Sequence, residues 1–281
     1  GVINIIPGYG HTAGKAIGMH NDIDTLSFTG STKVGRMFMR YSGDSNLKGV
    51  GLEMGGKSPF IVLDDAPIND DLIEHAAMSA FWNGGQNCSA NMRQLIAAPL
   101  VEEFTARVCA RVKAFRLGDP LDPSTDIGSM ITKDHKSMVM DYIQSGTDQG
   151  ARKIMGGNSN LPGFFIEPTV FDAVTPDMKI AREEIFGPVL GIMSFKSDAD
   201  ALAIASDTEY GLHATVFTRD IDRALHMARS VPCGTVSVNG FSEGDIKTPF
   251  GGYKMSGSLA RDNGTEALAQ YMQTKTIWIT T

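Results

Sequence analysis

Short apolar runs alternate with segments of helical period along almost the whole chain. Val2–Ile6 reads as a buried strand, Thr12–His20 as a helix, Thr25–Phe28 as a strand and Ser31–Tyr41 as a helix. Val50–Met54 and Phe60–Leu63 read as strands. Over Asp70–Trp82, Leu72, Ile73, Ala76, Ala77 and Ala80 recur at helical spacing. Leu95–Ala98 predicts a strand and Val101–Phe115 an amphipathic helix. Gly118–Met130, rich in Pro, Asp and Gly, predicts a loop, and Asp134–Gly150 a helix. Strands follow at Phe164–Val174, Pro188–Phe195, Ala214–Thr218 and Gly234–Val238, with helices at Ala199–Asp207 and Ile221–Ser230. This alternation predicts an α/β fold, a mostly parallel sheet flanked by helices on both faces. The Gly- and Pro-rich stretch Ser242–Gly257 breaks the rhythm, and Glu266–Met272 reads as helical. The β-rich tail Lys275–Thr281 has nothing local to pair with and is expected to join another sheet, in another subunit.

Composition narrows the functional classes. The chain has 281 residues, 42% hydrophobic and 20% charged, enough apolar material for a substantial core. Its formal net charge is −7 and it has no Lys/Arg run, which argues against nucleic acid and an anionic membrane surface as partners. No apolar run approaches the ~18 residues of a membrane span. An odd count of 3 cysteines, widely spaced, suits a reducing, cytoplasmic compartment better than a disulfide framework. The chain opens on Gly1 and directly on a strand-like run, so it reads as a piece lacking an N-terminal part.

The densest chemistry surrounds one thiol. Cys88 lies in Phe81-Trp-Asn-Gly-Gly-Gln-Asn-Cys-Ser-Ala-Asn91, after a helical run and among small and amide-bearing residues. A thiol on such a turn is open to a small electrophile, provided its pKa falls from roughly 8.5. Glu53, in a Gly-rich segment with Gly51, Gly55 and Gly56 that clears space around it, offers a carboxylate base; the alternative is a partly buried carboxylate satisfied by backbone N–H groups or paired with Lys57. Gly30 and Ser31 end a strand and open a helix, either a plain N-cap or an anion site fit for a pyrophosphate. Gly8-Tyr-Gly10-His-Thr-Ala-Gly14 is one residue too long for the dinucleotide fingerprint and serves equally as an ordinary turn. Glu183 and Glu184 are adjacent, cannot share a helix face, and should have different jobs. Cys109 sits at core spacing and Cys233 before a strand; both read as structural. The histidines lack ligand spacing, so no metal site is expected.

Together, FTGSTKVG (28–35), LEMGGKSP (52–59), NGGQNCSAN (83–91), EEIFGPV (183–189) and PFGGYKMSG (249–257) resemble the aldehyde dehydrogenase superfamily, in order over essentially the whole chain. Gly240–Ile246 and Gln273–Trp278 point to its bacterial aminoaldehyde and gamma-glutamyl-aminobutyraldehyde branch. The resemblance implies a partial Rossmann-type cofactor domain over 1–54, a catalytic domain over 55–256, and a return helix and oligomerisation strand over 257–281. It implies Cys88 as nucleophile towards a small-molecule aldehyde and Glu53 as base for hydrolysis of a thioester. It places Gly30, Ser31, Val34, Gly55, Glu184 and Phe186 around an NAD cofactor, with NADP left open. A homo-oligomer, dimer or tetramer, is implied as well.

The resemblance also has gaps. The family's asparagine oxyanion donor and the first half of its cofactor domain have no counterpart here, so this piece alone is expected to bind cofactor poorly. A catalytically silent association module, or a cofactor-free thiol esterase using Cys88, are the competing readings. Glu243 and Asp245 precede PFGGYK, where they would attract a substrate ammonium or simply face solvent.

Overall fold

The computed structural model describes residues 1–258 and 261–281. Leu259 and Ala260, inside the expected 257–281 segment, lie outside the described residues. By its internal contacts the chain forms two units, Gly56–Glu243 and a second built from Gly1–Gly55 with Gly244–Thr281.

The larger unit is a seven-stranded sheet in the spatial order Thr235–Val238, His213–Phe217, Pro59–Val62, Arg93–Ala97, Val189–Phe195, Ile166–Asp172 and Arg152–Asn158. All neighbours are parallel except the last pair. Both faces are covered, and the strand sequences show why. Phe60 and Val62 belong to one apolar cluster while Ile61 between them belongs to the other, and Ile96 and Leu95 divide in the same way. Side chains alternate across a strand, so a central strand buried on both faces reads as an unbroken apolar run. Helices Asp70–Phe81 and Val101–Lys113 cover one face through Leu72, Ala76, Phe104 and Val108. Helices Lys133–Asp148, Asp198–Ser206 and Ile221–Ser230 cover the other through Val139, Ile143, Ala201 and Met227.

In the smaller unit, strands Thr25–Gly30 and Gly49–Met54 pair in parallel, with Thr29 opposite Glu53 and Gly30 opposite Met54. Ser31 caps the helix Thr32–Gly43, its side chain accepting the Val34 N–H. Gly35 lets that helix pack close to the strand, since a Cβ there would push the Met54 sulfur aside. Ser31→Ala removes the cap acceptor and is expected to cost about 1 kcal/mol. Urea unfolding of the two forms checks it; equal midpoints would show that the cap contributes nothing.

Two sequence expectations need correction. Val2–Ile6 forms no strand, and Val2, Ile3 and Ile5 are exposed. The segment carries β-forming residues with no adjacent strand among the described residues, and propensity without a ladder does not make a strand. Lys275–Thr281 pairs with no strand of its own chain among the described residues, and Trp278 is 88% exposed. Conversely, Arg152–Asn158 is a strand that the pattern did not reveal. It is the antiparallel edge of the sheet, mostly exposed, and irregular at Gly156 and Gly157, so it lacks the apolar run of its central neighbours.

Candidate active site

In the smaller unit, Gly30, Ser31, Val34 and Glu53 gather where the two parallel strands end and the helix begins. The Val34 N–H is taken up by the Ser31 cap. The first N–H groups of any helix have no partner inside it, and the helix dipole makes such an end favourable to negative charge in general. Glu53 sits near the end of its strand, with backbone pairing to Thr29 and Gly257, and Gly55 follows, buried. Glu53 is itself buried, and neither carboxylate oxygen has a hydrogen-bond partner among the described residues. Burial pushes its pKa up to about 8; the Asp262 charge adds to the shift and Arg261 opposes it. At neutral pH the group is therefore mostly a carboxylic acid, and it ionises just above.

The larger unit holds the thiol. The helix Asp70–Phe81 stops, and Asn83, Gly84 and Gly85 take left-handed φ of 53°, 64° and 70°. That reversal brings Cys88 back on a turn, half-buried, its Sγ 3.8 Å from Asn87 Oδ1. Two glycines permit this seat. A Cβ on Gly56 would lie 2.9 Å from the Cys88 carbonyl oxygen, and one on Gly85 would lie 2.6 Å from the Gly187 carbonyl oxygen. So three of the sequence motifs, those around Lys57, Cys88 and Glu184, close on one another.

Glu183 and Glu184 do have different jobs. Glu183 accepts the Tyr142 hydroxyl at 2.7 Å, whereas Glu184 accepts the Gly56 N–H at 3.3 Å. Burial lifts the Glu184 pKa to about 7, against the pull of the Gly56 N–H and the Lys57 ammonium. Phe186 holds a left-handed φ of 54°, a strained value for a side-chain-bearing residue. Its carbonyl lies 2.6 Å from His135 Nε2 and its ring is 37% exposed. Glu184 is thus a half-buried carboxylate pinned by a backbone donor, close in sequence to the exposed ring of Phe186. Among the described residues no group of three His, Cys, Asp or Glu could hold a metal.

The two loop acids have different partners. Glu243 Oε1 accepts from both Asn87 and Ser89, the residues on either side of Cys88. Asp245 instead caps its own turn, accepting the Lys247 N–H while its N–H donates to Thr248. Beneath the nucleophile, buried Asn91 donates to the Pro59 carbonyl and accepts from Thr215, which meets Ser237 and, through it, His213. Sequence reasoning missed Ser89 and His213. It treated Lys57 only as a possible partner for Glu53, whereas Lys57 is buried with its Nζ unpartnered among the described residues. The available signal was a lysine two residues before the unbroken apolar run Pro59–Leu63.

Comparison with known proteins settles the class. The chain belongs to the aldehyde dehydrogenase family, whose profile matches residues 1–277. It is 44% identical to an aminoacetaldehyde dehydrogenase of Pseudomonas aeruginosa over 279 residues, which is 99% of this chain and 56% of the relative. It is 47% identical to aldehyde dehydrogenase 1A1 of Gallus gallus, over 99% of this chain and 55% of that one. The structure superposes on the P. syringae indole-3-acetaldehyde dehydrogenase AldA, solved with NAD+, with a TM-score of 0.96 and 42% identity. That match covers 98% of this chain and 56% of the other. The chain thus spans about half the length of the curated relatives it matches. No helix among the described residues is long and apolar enough to cross a membrane.

Proposed function

We propose that the full-length protein oxidises an aldehyde to a carboxylic acid through covalent catalysis at Cys88, with NAD, or NADP, as acceptor. The observation that supports this most is the seat of Cys88, a half-buried thiol on a turn that glycines press against the Glu184–Gly187 segment. The Cys88 thiolate adds to the aldehyde carbonyl to give a thiohemiacetal, and its backbone N–H donates to the developing oxyanion. Glu184 and Phe186 hold the nicotinamide riboside, and Gly30, Ser31, Val34 and Gly55 the rest of the cofactor. When bound, that cofactor supplies the hydride acceptor that makes the adduct a thioester. Glu53 takes a proton from the water that attacks the thioester, which releases the acid and returns the thiolate. Mixing full-length protein with aldehyde and NAD+ tests the proposal: NADH absorbance should rise with aldehyde consumed. Hydrolysis of an activated ester without any such rise would favour a thiol esterase.

The same proposal assigns the domains: 1–54 to the cofactor, 55–256 to catalysis and 257–281 to association. A homo-oligomer, dimer or tetramer, fits the exposed Ile277, Trp278 and Ile279 of the tail, and a cytoplasmic setting fits the cysteine usage. Of the two loop acids, Glu243 is the one beside the nucleophile's neighbours, and its charge would favour an aldehyde with a distal ammonium; the 44% identity to an aminoacetaldehyde dehydrogenase supports that substrate class. Glu243→Gln is expected to raise KM for an aminoaldehyde about 5-fold, the worth of roughly 1 kcal/mol for one exposed ion pair. KM for a neutral aldehyde of equal length should not change. Equal effects on both would remove the charge argument. Asp245→Asn should alter neither.

A further inference from the structure

Lys57, Ser58 and His213 have no part in the proposed oxidation, yet each buries a polar atom. Their exposures are 4%, 2% and 1%, and Lys57 Nζ, Ser58 Oγ and His213 Nδ1 all lack a hydrogen-bond partner among the described residues. The three residues line one cavity of about 10 Å³, whose wall also includes Tyr210, Leu212 and Cys233. Orphaned donors and acceptors cost free energy when buried, and a cavity this size admits one water.

The hydrogen-bonding roles are fixed by chemistry. His213 Nε2 lies 2.9 Å from the Ser242 carbonyl, which can only accept, so Nε2 carries the proton. Burial, only partly offset by that bond and the Glu243 charge, lowers the His213 pKa to about 4, and the ring is neutral. Nδ1 is then an acceptor. Lys57 is a donor. Burial and the Arg93 charge lower its pKa to about 7, with Glu184 and Glu183 holding its charge in place. Ser58 can play either role. One water donating to Nδ1 and accepting from Nζ satisfies both, with its remaining hydrogen or lone pair left for Ser58.

We propose that Lys57 Nζ, Ser58 Oγ and His213 Nδ1 form a binding site for one ordered water, and that this water ties together the two segments that bracket the Cys88 turn. One segment is Gly56–Ser58, with Gly56 against the Cys88 carbonyl. The other is anchored by His213 through Ser242, next to Glu243, whose carboxylate holds Asn87 and Ser89. Opening this tie loosens the turn without disturbing the helices around Cys109.

A crystal structure of the full-length protein, at a resolution that shows ordered water, tests the site. The expected result is one peak at about 2.7–3.2 Å from all three atoms. A dry cavity, an ion in that position, or a peak touching only one of the three overturns the proposal. Ser58→Val fills the space with hydrocarbon and tests the tie. Alkylation of Cys88 by iodoacetamide should then quicken at least about 3-fold, since access limits a half-buried thiol, while Cys109 reacts at its former rate. Equal acceleration at Cys109 means general loosening and overturns the tie, as does an unchanged Cys88. Ser58→Ala, a milder change, should keep the water on two partners, and its loss there would contradict the assigned roles. Neither readout depends on aldehyde oxidation, so failure of that reaction leaves the test intact.

Discussion

Cys88→Ala in the full-length protein is expected to lower aldehyde-dependent NADH formation by at least about 10⁴-fold, because removing a covalent nucleophile leaves only binding and electrostatic contributions. NAD+ affinity should be nearly unchanged, since the proposed cofactor contacts come from Ser31, Glu184 and Phe186. The thiol is half-buried on a loop, so its loss leaves no large core cavity and the thermal midpoint should scarcely move. Stopped-flow absorbance and a cofactor titration check both halves. Retained turnover would remove the nucleophile from the account. A parallel loss of NAD+ binding would mean instead that the turn has collapsed onto the Glu184–Gly187 segment.

Glu53→Gln is expected to slow thioester hydrolysis by about 10²–10⁴-fold, the usual worth of a general base, while acyl transfer to Cys88 survives. In the parent protein, hydrolysis should rise with pH through about 8, where Glu53 ionises, and then level. Stability should change in the opposite sense. Its pKa is raised from 4.5 to about 8 in the fold, so the unfolded chain releases this proton first. The contribution of the neutral acid is complete below pH 4.5 and is lost as pH climbs to about 8. Each pKa unit is worth about 1.4 kcal/mol, so the loss amounts to several kcal/mol. Gln carries no such charge. The variant should gain on the parent in thermal midpoint across that range and keep the gain above it. A base that weakens its own fold is the cost of a buried carboxylate with no hydrogen-bond partner among the described residues. A constant difference in midpoint between the two proteins at all pH values would contradict the buried state of Glu53.

Much of this was legible because buried parallel strands and glycine-built turns leave strong traces. Pro59–Val62 and Val189–Phe195 are apolar on both faces, so their sequences alone announce a covered sheet. Asn83–Gly85 announced a turn, and Gly30-Ser31 a helix start. The edge strand Arg152–Asn158 was hidden because solvent on one side erases the apolar run. The N-terminal segment failed for the opposite reason: Ile5 has β propensity but no ladder to join among the described residues. At the site, the sequence showed which residue types were present but not which pairs would meet. Glu243 looked like one of two equivalent acids, and only the fold brings its carboxylate to Asn87 and Ser89 while turning Asp245 back on its own loop. His213 gave no signal at all, because its role depends on a carbonyl 29 residues away.

The central claim is that Cys88 carries the acyl group and Glu53 governs its release. Mass spectrometry of full-length Glu53→Gln, quenched after mixing with aldehyde and NAD+, addresses both parts at once. The peptide containing Cys88 should gain the mass of the acyl group in near-stoichiometric amount, and the parent protein under the same conditions should show little. NADH formed with Cys88 unmodified in both proteins, or an adduct on Cys109 or Cys233 instead, would contradict the account.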